Sequence, residues 1–461
     1  MKKIISLLLC FLILMGLSAC GADELSGDKS SSSNDETTEV TSEEYEEENF
    51  KDETSSLKNS SNHKNSSNHK NSSNRNNSST NNRVTSGNGI NSSALSSSKT
   101  SVTTKYPTRE KGIQIRKANQ DKFKKVGRWI VSATKLGIGL NWTCSSVEFN
   151  IDCVGDLSLE FVRTNSSVLY LKVYVDGKLT SERLNIDKSG KFTIASNLSE
   201  GVHSIKIIRS SDGECGALTL NKIWARGELV DPPKNCKLYI EAIGDSSLIG
   251  WGSRLQDSFF EGDNFVQATA RNKENQDGTI SYPYVAAQKL GADAHIVARQ
   301  GAGVAATYHM SNNRCIPRNG LLPTICQYAA ATGSTRYIVD RVPDVFVIDA
   351  GAADISSKLQ KAVIDGDKVG IDTTRAIEIS VEFLNSLKAL NPNAKIIWCY
   401  GFTRDMTKNK PLEDYILNIV KQVDGAYALK LPLSKRGDYP SAGDHASAAT
   451  VLANKIKQIT K

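Results

Sequence analysis

One serine in this chain stands where a nucleophile would be presented. Leu238–Ile243 reads as a short buried strand, and it runs directly into Gly244-Asp245-Ser246-Ser247. A serine hydroxyl is a weak nucleophile unless a base takes its proton, a third group orients the base, and N–H donors hold the oxyanion formed on attack. Histidine is the side chain that titrates near neutrality, and past residue 104 there are four: His203, His295, His309 and His445. His203 and His295 fall within strand patterns, where a satisfied structural role is the simpler reading, and His309 lies in a long loop. His445 opens the last helical segment, 199 residues after Ser246, where a strand-end loop can return to the first strand. Acyl transfer by such a pair needs no cofactor and no metal. Of the nine cysteines, the seven after Cys10 and Cys20 contain no Cys-x-x-Cys pair, so neither a zinc nor a redox site is indicated. Seven is odd, so at least one stays unpaired. Cys315 with Cys326 and Cys144 with Cys153 are candidate disulfides outside the cell, and buried thiols are the alternative.

The scaffold that would assemble these groups begins near Lys237, where strands and helices alternate. Ala294–Ala298, Val345–Ile348, Ile396–Tyr400 and Ala426–Leu429 read as buried strands, and Tyr282–Leu290, Thr373–Leu390 and Ala446–Ile459 have helical spacing. This rhythm predicts a parallel sheet covered by helices, with active groups beyond the carboxyl ends of the strands. Upstream, residues 106–227 carry short alternating runs: Trp129–Ser132, Val147–Ile151, Leu157–Val162, Tyr170–Val175, Phe192–Ala195, His203–Ile208 and Leu218–Trp224. Turn residues such as Asp176-Gly177 and Glu200-Gly201 separate them, which predicts an all-β sandwich. Asp231-Pro232-Pro233 makes a stiff link between the two.

The first quarter of the 461-residue chain is different. Lys2 and Lys3 precede an apolar run, Ile4–Ala19, that ends Leu17-Ser18-Ala19-Cys20. This reads as a secretory signal over 1–20 with Cys20 lipidated as the mature N-terminus, which places the protein on the outer face of a bacterial cell membrane. Residues 21–104 are mostly Ser, Asn, Thr, Lys and acids, too polar to offset the entropy of ordering, and are expected to be a disordered spacer. Its hexad Asn59-Ser60-Ser61-Asn62-His63-Lys64 repeats at 65–70, but two histidines without a third ligand on a free backbone do not make a metal site. As a flexible coil the spacer reaches about 50 Å. The net charge of +7 hides 13 acids and 2 bases over 21–53 followed by 6 bases and no acids over 54–104. The rest lacks a basic run, so nucleic acid is not an expected partner, and with one apolar run a multi-pass membrane protein is excluded.

The blocks Ile243-Gly244-Asp245-Ser246, Gly301-Ala302-Gly303, Pro343-Asp344-Val345 into Gly351-Ala352-Ala353-Asp354, and Asp444-His445 follow the order of the SGNH/GDSL hydrolases. With Tyr170–Gly177 and Leu198–His203 upstream, the chain more closely resembles carbohydrate esterase family 2, the acetylxylan-esterase-like group, over about 110–461. The resemblance implies an N-terminal jelly-roll β-sandwich at 105–230 and a flavodoxin-like three-layer SGNH hydrolase domain at 235–461. It implies a serine esterase that removes O-acetyl groups from a polysaccharide of the xylan or mannan type, without metal or cofactor; a monomer is expected. Ser246 would be the nucleophile and His445 the base that later returns the proton to the sugar hydroxyl. The N–H groups of Ser246 and Gly301 would hold the oxyanion, and Asp444 is the acid near the base. Asp245 would brace the loop.

Two departures stand out. The family pattern has Gly-x-Asn-Asp, and Ala353 occupies the Asn position with no donor to offer; one such donor is typically worth about 10²–10³ in rate. An Asp is expected two or three residues before the histidine, but Gly443 and Ala442 stand there, and Ala446 replaces the proline that usually follows it. An impaired esterase, a non-catalytic glycan-binding surface lipoprotein and an esterase for the cell's own envelope polysaccharide are the competing readings. A side chain near Asn312 and Asn313 is a candidate substitute donor.

Overall fold

The structure is a computed structural model that describes residues 105–129, 136–164, 168–260, 272–309, 314–316, 320–355 and 372–461. The signal segment, Cys20, the spacer with its hexads, and Asn312 and Asn313 lie outside the described residues, as do the side chains of His309 and Cys315. Everything described belongs to one compact unit, Val102–Lys461.

Its first half is a β-sandwich of eight antiparallel strands: β1 (Lys111–Gln114), β2 (Lys124–Val126), β3 (Ile138–Gly139), β4 (Ser146–Arg163), β5 (Leu169–Val175), β6 (Lys178–Ile186), β7 (Gly190–Arg209) and β8 (Leu218–Leu229). They run in the order β1-β8-β4-β7-β5-β6, with β2 beside β4 and β3 beside β8. Alternating residues such as Val147, Phe149, Ile151, Leu157, Leu159 and Phe161 are fully buried in the core. The hairpin between β5 and β6 is the two-residue Asp176-Gly177 turn. Both φ angles there are positive, at 51° and 73°, the geometry that suits strand twist and that Asp-Gly accepts at little strain. Val147–Ile151 and Leu157–Val162, expected as two strands, are one continuous β4. A bulge around Gly155, whose φ is 83°, absorbs the extra residues without breaking the ladder. Phe192–Ala195 and His203–Ile208 likewise merge into β7. Trp129 lies in no strand, and the rest of that run is outside the described residues.

The second half is a five-stranded parallel sheet. Its strands are β9 (Tyr239–Gly244), β10 (Asp293–Ala298), β13 (Val345–Asp349), β14 (Lys395–Tyr400) and β15 (Ala426–Lys430), with a small hairpin, β11 (Thr307–His309) and β12 (Arg314–Ile316), between β10 and β13. The order β10-β9-β13-β14-β15 is the 2-1-3-4-5 winding of flavodoxin-like folds. Among the described residues six helices accompany it: α1 (Ser246–Ile249), α2 (Tyr282–Leu290), α3 (Leu322–Ile325), α4 (Thr373–Leu390), α5 (Lys410–Val420) and α6 (Ala442–Ile459). Residues of α2 and α6 pack with Ile240, Ala242 and Val347 on one face of the sheet. Those of α4 and α5 pack with Ile243, Phe346 and Trp398 on the other, giving three layers.

The two halves share structure across the Pro232-Pro233 link. Cys144 and Ile208 of the sandwich belong to the core beneath α2 and α6. The Ile296 N–H donates to the Thr143 carbonyl at 3.1 Å. The Arg128 guanidinium pairs with Glu241 inside the sheet at 2.6 Å, and His295 lies 3.2 Å from the same carboxylate. Burial alone would push Glu241 up, but the charges of Arg128 and His295 hold it down at about 2. Cys144, Cys153, Cys215, Cys236, Cys326 and Cys399 are free thiols, so Cys144 and Cys153 are not bridged.

Candidate functional site

The site is built on the strand-to-helix turn after β9. Gly244 ends that strand against β13, and a Cβ there would sit 2.3 Å from the Asp349 carbonyl oxygen, so only glycine lets the two strand ends close. Asp245 caps α1, its carboxylate accepting from the Ser247 N–H at 3.1 Å. The two serines then divide. The Ser247 hydroxyl is buried and donates to Asp349 Oδ2 at 2.8 Å, where the Tyr282 hydroxyl also donates at 2.9 Å. Ser246 is half-exposed, and among the described residues neither its hydroxyl nor its N–H is hydrogen bonded. Desolvation at the strand end and the charge of Asp349 hold the Asp245 carboxyl above the usual range; Asp349 is also raised, by desolvation. Asp245 is thus a bracing group, as its sequence position suggested.

Gly301 follows the adjacent strand. β10 ends at Ala298 opposite Gly244, and the Arg299 N–H donates to the Gly244 carbonyl at 3.1 Å. Gly301 itself has φ 68°, and its N–H is unpaired among the described residues. Ser246 and Gly301 therefore supply two uncommitted backbone donors at neighbouring strand ends. The loop after β13 clamps the same region. Asp354 accepts N–H bonds from Val304, Ala305 and Ala306 at 3.1, 2.7 and 2.8 Å. A Cβ at Gly303 would come within 2.6 Å of that carboxylate. Ala353, the preceding residue, is buried and presents a methyl group.

His445 has a different environment from the one its sequence position suggested. Helix α6 begins at Ala442, four residues earlier than the hydropathy pattern indicates, because Ser441 and Asp444 form a capping box. The Asp444 carboxylate accepts from the Ser441 N–H at 2.9 Å and the Ser441 hydroxyl at 2.8 Å. Burial raises the Asp444 pKa, but these bonds outweigh it and hold the carboxyl below its usual range. No hydrogen bond joins it to the imidazole. The His445 ring lies inside the first turn, fully buried against Tyr282 and Phe402, with ring centroids 6.3 and 5.0 Å away. Its Nδ1 accepts the Tyr282 backbone N–H at 3.2 Å. That N–H is one of the orphan donors at the start of α2, and the Ser281 side chain does not cap it. A neutral imidazole accepting at Nδ1 carries its proton on Nε2, and Nε2 is buried without a partner. Burial pushes the pKa down to about 3, with Asp444 opposing weakly. The ring is therefore neutral at physiological pH and holds a proton on the nitrogen that a base would need free. It is not hydrogen bonded to Ser246.

The residue that the last loop places against the serine segment is Tyr439. It is buried, its ring stacks on Trp251 with centroids 6.4 Å apart and planes 7° apart, and its Cβ lies 3.1 Å from where a Cβ on Gly252 would be. Arg436 of the same loop bonds Asp257 at 2.7 Å and the Leu255 carbonyl at 2.9 Å. One signal in the sequence pointed here: proline is expected directly after the base, and Pro440 follows Tyr439. Among the described residues no group of three or more His, Cys, Asp and Glu side chains is placed to hold a metal.

Residues 126–233 match the family model of the carbohydrate esterase 2 N-terminal domain. No curated protein matches the chain. Among solved structures, a family two carbohydrate esterase from Clostridium thermocellum, in complex with cellohexaose, is 20% identical with a TM-score of 0.61, covering 73% of this chain and 98% of its own. An acetyl xylan esterase from the rumen bacterium Butyrivibrio proteoclasticus is 17% identical with a TM-score of 0.61, covering 76% and 98%. A third relative is a carbohydrate esterase whose active site displays divergent catalytic and non-catalytic binding functions; it is 19% identical with a TM-score of 0.55, covering 73% and 97%. Residues 126–233 thus match a carbohydrate esterase 2 N-terminal domain, a parallel α/β domain follows them, and the two together have the fold of the family 2 carbohydrate esterases.

Proposed function

We propose that this protein holds polysaccharide in the cleft of a carbohydrate-esterase fold without turning it over. The observation that carries this reading is the His445 imidazole, whose Nδ1 is committed to the Tyr282 N–H and whose Nε2, left to carry the proton, is buried without a hydrogen bond to the serine. A nucleophile without a base remains a weakly acidic hydroxyl. Tyr439 of the last loop packs on Trp251 and Gly252 of the segment that follows the serine, and Ala353 removes a third oxyanion donor. The relative solved with cellohexaose supports a β-linked polysaccharide as the ligand class, and the acetyl xylan esterase supports xylan. The lipobox at Cys20 supports a tether on the outside of a bacterial cell.

A second reading, a slow O-acetyl esterase, rests on Ser246. Its hydroxyl is accessible beside its own N–H and that of Gly301, so an acyl carbonyl placed there would meet two donors. Either polysaccharide from the surroundings or the cell's own envelope would be its substrate. Retardation of the full chain in native gels containing soluble xylan or glucomannan tests the first reading. Wild type and Ser246→Ala should be retarded equally, and Ser246→Tyr, which fills the cleft, should be retarded less. Equal mobility of Ser246→Tyr and wild type in every polysaccharide gel would remove the cleft as a binding site.

A further inference from the structure

We propose that the outer face of the sandwich carries a second carbohydrate site, centred on Trp224 and the hollow beside it, which takes a pyranose unit of a polysaccharide. Trp224 lies between the buried residues Ile223 and Ala225 of β8, so its side chain is on the solvent side of the sheet. Directly opposite on β1 is Gly112. A Cβ there would meet three atoms of the indole at 3.2–3.3 Å, so the glycine is what allows the ring to lie flat across the neighbouring strand. The indole N–H donates to Glu160 at 2.9 Å, and that carboxylate is held in turn by Asn221 at 3.1 Å and Lys222 at 2.9 Å. The ring is thus fixed before any ligand arrives, which lowers the entropy cost of binding.

The hollow comes from the same bulge that keeps β4 continuous. The register between β4 and β8 is interrupted between Val154 and Ser158. The gap opens a cavity of about 300 Å³ lined by Glu110, Gly155, Asp156 and Arg226. That is the lower end of ligand-site volumes, about 300–1,000 Å³. A pyranose has one face of axial C–H groups, which suits a flat indole, and a rim of hydroxyls that both donate and accept. Glu110 and Asp156 accept from such a rim and Arg226 donates to it. The border mixes three acids, Glu110, Asp156 and Glu160, with three bases, Lys191, Lys222 and Arg226. Such a balance disfavours a phosphate polymer, which needs net positive charge. β8 is paired on both sides, so an added peptide strand cannot join it directly. Lys191 now sits 5.0 Å above the ring and 2.6 Å from Glu110; it is the side chain a sugar would displace.

The test is the dissociation constant of the full chain for xylohexaose and cellohexaose, and its retardation by soluble xylan. Trp224→Ala should weaken binding about tenfold or more, the scale of one lost aromatic contact, and Trp224→Phe should restore most of it. Gly112→Val keeps the tryptophan but lifts the ring, and should lose binding to the same degree. Thermal midpoints within a few degrees of wild type would show that these variants fold. Unchanged affinity in both Trp224→Ala and Gly112→Val overturns the proposal. So does a loss confined to Ser246→Tyr, which would leave all binding in the cleft.

Discussion

If His445 is a buried neutral cap and not a base, its removal changes how stability depends on pH. In the fold its pKa is held at about 3, whereas in the unfolded chain it returns to about 6.5. Between those values the unfolded state binds one more proton than the folded state. The contribution is therefore complete above about pH 7 and is lost as pH falls toward 3. Linkage gives about 1.4 kcal/mol per pH unit once pH is well below 6.5. Integrated from pH 6 to pH 4, His445 should cost wild type about 2–3 kcal/mol, a visible part of a total stability of about 5–15 kcal/mol. His445→Gln keeps an acceptor for the Tyr282 N–H but cannot titrate, so this slope should disappear while the other titrating groups remain as they are. Urea unfolding followed by tryptophan fluorescence at pH 7, 6, 5 and 4 reads the difference directly. At neutral pH His445→Ala should lose about 3–5 kcal/mol, since it empties a fully buried ring site and orphans an N–H. Parallel pH curves for wild type and His445→Gln would refute the placement of this ring.

Glu241→Ala should destabilise by about 3–5 kcal/mol, because Arg128 would be left buried without its carboxylate; the urea midpoint measures it. Combining Tyr439→His with Ala353→Asn should create acetate release from aryl acetates that vanishes when Ser246→Ala is added, with the Asn contributing at most about 10²–10³-fold. Cys20→Ala should move the protein from the membrane fraction to the medium, as seen by immunoblotting of fractions.

The sheet was largely readable because period and composition decide it: Val345–Ile348, Ile396–Tyr400 and Thr373–Leu390 are where the apolar spacing puts them. Gly155 misled in the other direction. A glycine inside alternating residues is read as a break, but here it takes a positive φ and bulges while the ladder continues. The strand-end serine was legible for the same reason as the sheet, since Gly244-Asp245-Ser246 follows an apolar run. The role of His445 was not. It depends on Tyr282, 163 residues away, whose N–H needs an acceptor only because Ser281 fails to cap α2. A local cue was present in Ser441-x-x-Asp444, a capping box that places the histidine inside the helix.

Release of acetate from acetylated xylan and acetylated glucomannan by the wild-type full chain, with Ser246→Ala in parallel, tests the central claim most directly. The account predicts the same background rate for both proteins while both remain bound to the polysaccharide. Turnover in wild type that falls to background in Ser246→Ala would show that a working base reaches the serine, and would contradict it.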